Sequence, residues 1–212
     1  MIYIVPFDFC NLASISRYFN FNEIEFEYLD RQVTVDVNDD VIVIPGVGSF
    51  HEGMNFLRAT QLAEKIRNHN SLGGRIVGIC LGMQLMFDKS DESPGIKGLG
   101  LLHGKVKRLS NIIESVPRIG WDSVNIFRPS SSYSKFDNAY VNNDCKEMLS
   151  ADFYFVHSYH CVPEEKTAIS GTFLHGGDKC CASIERRSLY GFQFHPEKSG
   201  PLGYMVLDAI FL

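Results

Sequence analysis

The stretch Arg75-Ile76-Val77-Gly78-Ile79-Cys80-Leu81-Gly82 constrains the fold more than any other part of the chain. A run of strand character ends in Gly-x-Cys-x-Gly, and helix-like sequence follows. That spacing is a strand-to-helix elbow with a nucleophile at its apex. A strand that leads into such an elbow is buried, so the motif asks for an α/β sheet covered on both faces. Bulky residues two positions either side of Cys80 would collide, which accounts for Gly78 and Gly82. The turn lifts the sulfur out of the sheet and sets it at a helix N-terminus, where the dipole and free N–H groups favour thiolate over thiol. The N–H of Leu81 can also face a developing oxyanion.

The remainder of the first half agrees with a doubly wound, mostly parallel sheet. Ile2 to Val5 reads as a buried strand, Asn11 to Phe19 as a short helix and Ile24 to Leu29 as a second strand. Val41 to Ile44 is a continuous β-branched run that ends in the turn Pro45-Gly46-Val47-Gly48. Glu52 to His69 reads as one helix, closed by Gly73-Gly74. The β-α-β-α order gives parallel strands with crossover helices. After Leu99 the pattern changes to short strand-like runs punctuated by Gly, Pro, Asn and Ser: Gly104 to Leu109, Ser123 to Phe127, Phe153 to His157 and Ala168 to Phe173. These fit an antiparallel extension of the same domain. Ser130 to Lys135 is polar and reads as an exposed loop. Leu189 to Phe194 is a late strand, and Pro201 to Leu212 a closing helix with proline near its first turn. One domain over residues 1–212 is the simplest division, and a hydrophobic fraction of 45% is enough for one sizeable core.

A net charge of −5 with scattered Lys and Arg leaves no basic run to track nucleic acid and no basic amphipathic stretch for a membrane surface. No apolar stretch approaches the roughly 20 residues that span a bilayer, and the N-terminus lacks the marks of a signal peptide. The six cysteines, Cys10, Cys80, Cys145, Cys161, Cys180 and Cys181, are irregularly spaced, the pattern of reduced thiols in a cytoplasmic protein. No C-x-x-C pair supports a zinc site. His157 and His160 in Val-His-Ser-Tyr-His have no carboxylate or thiol motif to complete a metal set, so neither metal nor cofactor is expected. His51, His69, His103 and His175 suggest only solvated or capping roles.

A catalytic cysteine needs a base, and the base must be held in place. Gln193-Phe194-His195-Pro196-Glu197 supplies both. In an extended segment residues i and i+2 project to one side, so Glu197 can reach one ring nitrogen of His195 while the other faces Cys80. Pro196 stiffens the link. Cys, His and carboxylate together are the constellation of thiol hydrolases.

Three segments in combination resemble the class I (triad) glutamine amidotransferases. They are Pro45-Gly46-Val47-Gly48, Gly78-Ile79-Cys80-Leu81-Gly82-Met83-Gln84, and Gln193 through Gly200. Gly120-Trp121 and Tyr154-Phe155-Val156-His157-Ser158-Tyr159 are similar to the branch whose glutaminase subunits serve histidine biosynthesis. The resemblance covers nearly the whole chain and implies a flavodoxin-like core. It makes Cys80 the nucleophile, His195 the general acid/base and Glu197 the orienting carboxylate. Val47, Gly48 and Leu81 become the oxyanion elements, with the Val47 N–H swinging inward when a partner engages. Gln84, Glu92, Ser158 and Tyr159 fall around bound glutamine. Trp121, Arg118 and Lys198 fall at the interface with the implied heterodimer partner, a (β/α)8-barrel cyclase that receives the ammonia.

Two segments depart from the family pattern. Phe7-Asp8-Phe9-Cys10-Asn11-Leu12 stands where Tyr-Gly-Met-Gly-Asn-Leu is usual, and Pro117-Arg118-Ile119-Gly120-Trp121-Asp122 where Pro-His-Met-Gly-Trp-Asn is usual. A paralogue that supplies ammonia for amidination of a surface-polysaccharide sugar would change in such places. Outside that branch stand a non-catalytic regulatory scaffold, which the intact triad disfavours, and a stand-alone thiol hydrolase, which the glutamine-site residues disfavour.

Overall fold

The computed structural model describes residues 1–127, 130–136 and 148–212. Its parallel half follows from strands that are apolar on both faces. β1 (Ile2–Ile4), β2 (Phe26–Tyr28), β3 (Val41–Ile44) and β4 (Arg75–Ile79) pair in parallel in the order β2-β1-β3-β4. β12 (Leu189–Phe192) then lies parallel to β4 on its other side. This is the flavodoxin-like order. Successive residues of one strand serve opposite faces. Val41 and Val43 pack with α1 (Ala13–Phe21) and α5 (Gly200–Phe211), while Ile42 and Ile44 pack with α2 (Phe50–Ala59) and α3 (Leu62–Ser71). Each face therefore carries its own apolar layer, as the β-branched runs require.

Beyond β12 the same sheet continues antiparallel through β11 (Asp178–Arg186), β10 (Ile169–His175), β7 (Arg118–Phe127) and β8 (Met148–His157), nine strands among the described residues. A second sheet joins β5 (Phe87–Ser90), β6 (Leu102–Arg108) and β9 (Tyr159–Pro163). The chain passes from one sheet to the other at Ser158, between β8 and β9. The antiparallel extension is as expected from the sequence. β5, β9 and β11 lie outside the expected runs.

Three expectations need correction. The single helix over 52–69 is two helices, α2 and α3, hinged at Gln61, whose φ is 62°. The apolar phase explains the break. A helix through Leu57 would next turn positions 60, 61 and 64 inward, but these are Thr60, Gln61 and Glu64, whereas Leu62, Ala63 and Ile66 are the buried ones. Ser49 starts α2 with a capping box, in which its hydroxyl accepts from the Glu52 N–H and its own N–H donates to the Glu52 carboxylate.

The segment Ser130 to Lys135 is not a free loop. Its three serines converge on the half-buried carboxylate of Glu185: Ser130 Oγ donates at 2.6 Å, Ser131 Oγ at 2.6 Å and Ser132 Oγ at 3.1 Å. Burial pushes the Glu185 carboxyl up, and these donors together bring it below its ordinary value. Tyr133 and Phe136 then pack against Phe153 in the core. The third correction concerns His69 and His175, both buried rather than solvated, with Nε2 facing the Arg75 and Ser110 carbonyl oxygens respectively.

The elbow after β4 is held by close backbone contact. Cys80 adopts φ 50° and ψ −105°, a conformation that L residues rarely occupy. A Cβ on Gly82 would lie 1.7 Å from the Ile44 carbonyl oxygen, and one on Gly78 would lie 2.7 Å from the Met83 nitrogen. The helix that follows, α4 (Leu81–Leu85), has only five residues, so its dipole offers the sulfur less than a long helix would. Gly82→Ala must push β3 away from the elbow. It should cost about 3 kcal/mol in urea denaturation, and a loss below about 1 kcal/mol would mean that the contact can relax freely.

Candidate active site

The strand order places the chemistry. β3, β4 and β12 are neighbours and run the same way, so their carboxyl ends emerge side by side. β3 leads into Pro45-Gly46-Val47-Gly48, β4 into Cys80, and β12 into Gln193-Phe194-His195. The nucleophile candidate is thus flanked by a glycine-rich turn on one side and by the histidine on the other. This is the edge at which open α/β sheets present their sites.

His195 and Glu197 are brought together as the sequence indicates, with Nδ1 to Oε1 at 2.7 Å. The route differs from the extended one: His195 is extended, but Pro196–Lys198 forms a 3-10 turn that carries the carboxylate back under the ring. The antiparallel half anchors this turn. The His195 N–H donates to the Tyr154 carbonyl at 2.9 Å, and the Tyr154 N–H donates to Ser199 Oγ at 3.0 Å. Ser199 Oγ in turn donates to the His195 carbonyl at 2.6 Å. Ser199 lies within the family-like segment Gln193 through Gly200, but only the structure shows that its hydroxyl locks the turn to β8.

His195 is 2% exposed, and its Nε2 is buried without a hydrogen-bond partner of good geometry. Burial alone lowers its pKa. The Cys80 sulfur beside the ring and the Glu197 carboxylate behind it outweigh that and push it up to about 10. The sulfur on one side and the carboxylate on the other thus both favour the protonated ring.

A cavity of about 250 Å³ opens beside Cys80, and Val47, Gly48, Leu81, Gln84, Glu92, Ser158 and Tyr159 are among its lining residues. All the sequence candidates for oxyanion and substrate contacts thus meet in one place. Glu92 Oε2 accepts from the Phe50 N–H at 2.8 Å, at the start of α2. The Tyr159 carbonyl is a hub that accepts from Gln84 Nε2 at 2.9 Å and faces His157 Nδ1 at 2.7 Å.

The expected oxyanion donors are differently placed. The Val47 N–H donates to Cys10 Sγ at 3.1 Å, and the Cys10 thiol points back at the Val47 carbonyl at 3.7 Å. The Leu81 N–H makes a long contact of 3.4 Å with the Gly46 carbonyl. Burial raises the Cys10 thiol above its ordinary value, so it sits there as neutral SH. Cys10 occupies one of the two positions at which the first segment departs from the family glycines, and its thiol takes the N–H that the glycine-rich turn would otherwise offer.

The proposed interface residues lie apart from the cavity lining. Trp121 is 58% exposed on β7, its ring against Tyr154. Arg118 pairs with Glu114 and Asp122, and Lys198 is exposed. Ile119 on β7, Leu174 on β10 and Ile112 and Ile113 between β6 and β7 are exposed apolar side chains as well. The described cysteines are all free thiols; Cys145 lies outside the described residues. Among those residues no helix is long and apolar enough to cross a membrane.

With this geometry in hand, the comparisons with known proteins are specific. The profile of the glutamine amidotransferase class-I family matches residues 8–211. The imidazole glycerol phosphate synthase subunit HisH of Chlorobaculum tepidum is 36% identical over 98% of this chain and 97% of its own length. The protein of the same name from Thermotoga maritima is 37% identical over 90% of this chain and 84% of its own. Among solved structures, one titled "Structure of PurLQS from Thermotoga maritima" aligns with a TM-score of 0.75 at 18% identity. It covers 99% of this chain and 96% of that one, and so shares the fold.

His157 provides a pH signature. Its ring is buried between Phe155 and Phe173, and burial pushes its pKa from 6.5 down to about 3. Below pH 6.5 the unfolded chain takes up a proton there that the native state refuses. Stability is therefore lost as pH falls from 6.5 toward 3, by up to about 1.4 kcal/mol per pH unit. His157→Gln should flatten this acid limb in urea denaturation between pH 6.5 and 4.5. Parallel limbs for wild type and variant would contradict the assignment.

Proposed function

Because the chain belongs to the class-I glutamine amidotransferase family, we propose that Cys80, His195 and Glu197 hydrolyse glutamine to glutamate and ammonia. The chain would act as the glutaminase subunit of a cytoplasmic imidazole glycerol phosphate synthase, paired with a barrel cyclase. The observation that carries the catalytic reading is the His195–Glu197 pair at 2.7 Å, set behind a cysteine at a strained elbow and beside a cavity. Similarity over nearly the full length to subunits of that synthase favours the histidine-pathway reading over the polysaccharide paralogue.

In this mechanism the Cys80 thiolate attacks the side-chain amide carbon of glutamine. His195 Nε2 passes its proton to the departing ammonia, which leaves a thioester on Cys80. The same nitrogen then takes a proton from water, the water oxygen attacks the thioester and glutamate departs. Glu197 keeps the ring oriented and stabilises its protonated form. Glu92, the free oxygen of Gln84, Ser158 and Tyr159 line the space where the amino-acid end of glutamine would rest. Trp121, Arg118 and Lys198 would contribute contacts to the cyclase.

The oxyanion turn is the element left incomplete. With the Val47 N–H on Cys10 and the Leu81 N–H on Gly46, a tetrahedral intermediate meets few free donors. Docking of the cyclase would supply the differential contacts that release the Val47 N–H.

Glutamate release is the direct test. The free chain should turn over slowly, and the histidine-pathway cyclase with ligand in its barrel should raise the rate at least about tenfold, a coupling of about 1.4 kcal/mol. Cys80→Ala should give neither glutamate nor a trapped thioester, and Glu197→Gln should lose roughly 10²–10⁴ in kcat. A wild type that forms no thioester with or without the cyclase would sink the glutaminase reading. A thioester without stimulation would point to another partner.

Cys10 gives an independent check. Cys10→Ala should raise the turnover of the free chain, by at most the roughly 10²–10³-fold that one oxyanion donor is worth, with KM little changed. If turnover without the cyclase stays at the wild-type level, the thiol does not restrain the turn.

A further inference from the structure

Gln193 lies one residue beyond β12, between Phe192 and Phe194, and all three side chains are completely buried. A carboxamide between two buried phenylalanines is costly unless both its ends are satisfied. Here both ends have partners, and the partners are ordered. Gln84, 4% exposed on α4, donates from Nε2 to the Tyr159 carbonyl at 2.9 Å and to Gln193 Oε1 at 3.1 Å. Gln193 Nε2 then donates to Cys80 Sγ at 3.7 Å, a normal reach for sulfur.

The direction of this relay follows from chemistry alone. A backbone carbonyl can only accept, so the Tyr159 oxygen fixes the Gln84 amide with its NH2 inward. That NH2 can only donate, so the Gln193 oxygen must face it. The Gln193 NH2 is thereby turned toward the sulfur. A neutral thiol, with its S–H directed at the Val156 carbonyl 3.9 Å away, is only a weak acceptor for such a donor. A thiolate accepts from it.

We propose that Gln193 stabilises the anionic sulfur of Cys80 during glutamine hydrolysis, and that Gln84 acts through it as a positioning residue. The inference rests on the glutaminase reading above. In the first half-reaction the electron pair of the thiolate forms the S–C bond, and the C–N bond breaks as ammonia leaves with the His195 proton. In the second, water adds, the C–S bond breaks and the electron pair returns to sulfur, where the Gln193 N–H meets it. The donor therefore serves the resting nucleophile and the leaving group of deacylation alike.

The test uses the free full-length chain and iodoacetamide, with modification of the Cys80 peptide followed by mass spectrometry across pH. The other titratable groups near that sulfur are His195 with Glu197 behind it, Cys10, the buried Cys161, and Glu92, His157 and Tyr159 of the same cavity. All of them are retained in Gln193→Met, which keeps the side-chain length and removes the donor. The variant should be alkylated roughly tenfold more slowly at pH 7 and regain the wild-type rate at high pH. Its midpoint should therefore rise by about one pH unit. Its kcat should fall in proportion, while KM for glutamine changes less than kcat.

An unchanged midpoint would overturn the proposal, even if thermal stability falls, because a purely structural amide would not move it. Should Gln193→Met fail to fold, the wild type still decides. The Gln193 side-chain NH2 resonances should titrate together with Cys80 alkylation and lose that transition in Cys80→Ala. Resonances that ignore the cysteine would refute the contact. Neither readout needs glutamine, so failure here leaves the glutaminase reading standing, whereas a wild type that forms no thioester would remove that reading by itself.

Discussion

Backbone at Gly82 presses against the Ile44 carbonyl so closely that a single added carbon would sit at 1.7 Å. The rest of the site depends on this contact. It brings the start of α4 under the end of β3, and the Gly46 position also faces Leu81 closely, at 2.6 Å for an added Cβ. With both ends fixed, the chain has no room to leave β4 gently, and Cys80 is left in a rarely populated conformation. The surrounding hydrogen bonds maintain the strain: the Cys80 N–H donates to Phe192 at 2.6 Å, and its carbonyl accepts from Gln84 at 3.1 Å. A backbone outlier persists when its neighbours over-determine it, and here those neighbours are the two strands that also deliver the other parts of the site.

The antiparallel half does different work. It is not needed to form the elbow, yet it closes the space around it. Tyr154 on β8 holds the His195 turn through both its N–H and its carbonyl, and Tyr159 at the start of β9 receives the amide of Gln84. Between them the chain changes sheet at Ser158, which leaves the cavity open at that seam. The parallel strands thus set where the nucleophile and base emerge, and the antiparallel strands set how dry and how rigid their surroundings are. That dryness gives the His195 and Glu197 contact its strength, because a charge pair at 2.7 Å in a buried setting is weakly screened.

Much of this was legible in the sequence, and the exceptions have physical causes. Val41–Ile44 and Arg75–Ile79 were readable to the residue because every position but the exposed Arg75 at the start of β4 is buried and apolar. The elbow was readable because its glycines are obligatory. The break at Gln61 was present in the apolar phase but masked by helix-compatible residues on both sides. Ser130 to Ser132 looked like solvent-exposed chain because their partner, Glu185, lies some fifty positions away on a strand the pattern did not reveal. The same holds for Ser199 and Gln193, whose roles arise from long-range contacts. Cys10 is the instructive case. It stood out as a departure from the family pattern, but only the fold shows that the thiol reaches the Val47 N–H, because β1 and β3 are adjacent and their following turns meet.

That adjacency bears on how such a site can be idle and yet assembled. Groups that must not move, Cys80, His195 and Glu197, follow directly from strand ends or are tied to them by buried hydrogen bonds. The donor that changes partner in the proposed mechanism, Val47, lies on a turn at the edge where β1 meets β3, and a single neutral thiol holds it. Such a hydrogen bond contributes about 1 kcal/mol net, small against the whole fold and comparable to the differential binding that a docked partner can supply. A restraint of that size would leave the proposed triad intact while the proposed oxyanion site stays closed. In the proposed mechanism it makes ammonia release responsive to a partner without any rearrangement of the nucleophile.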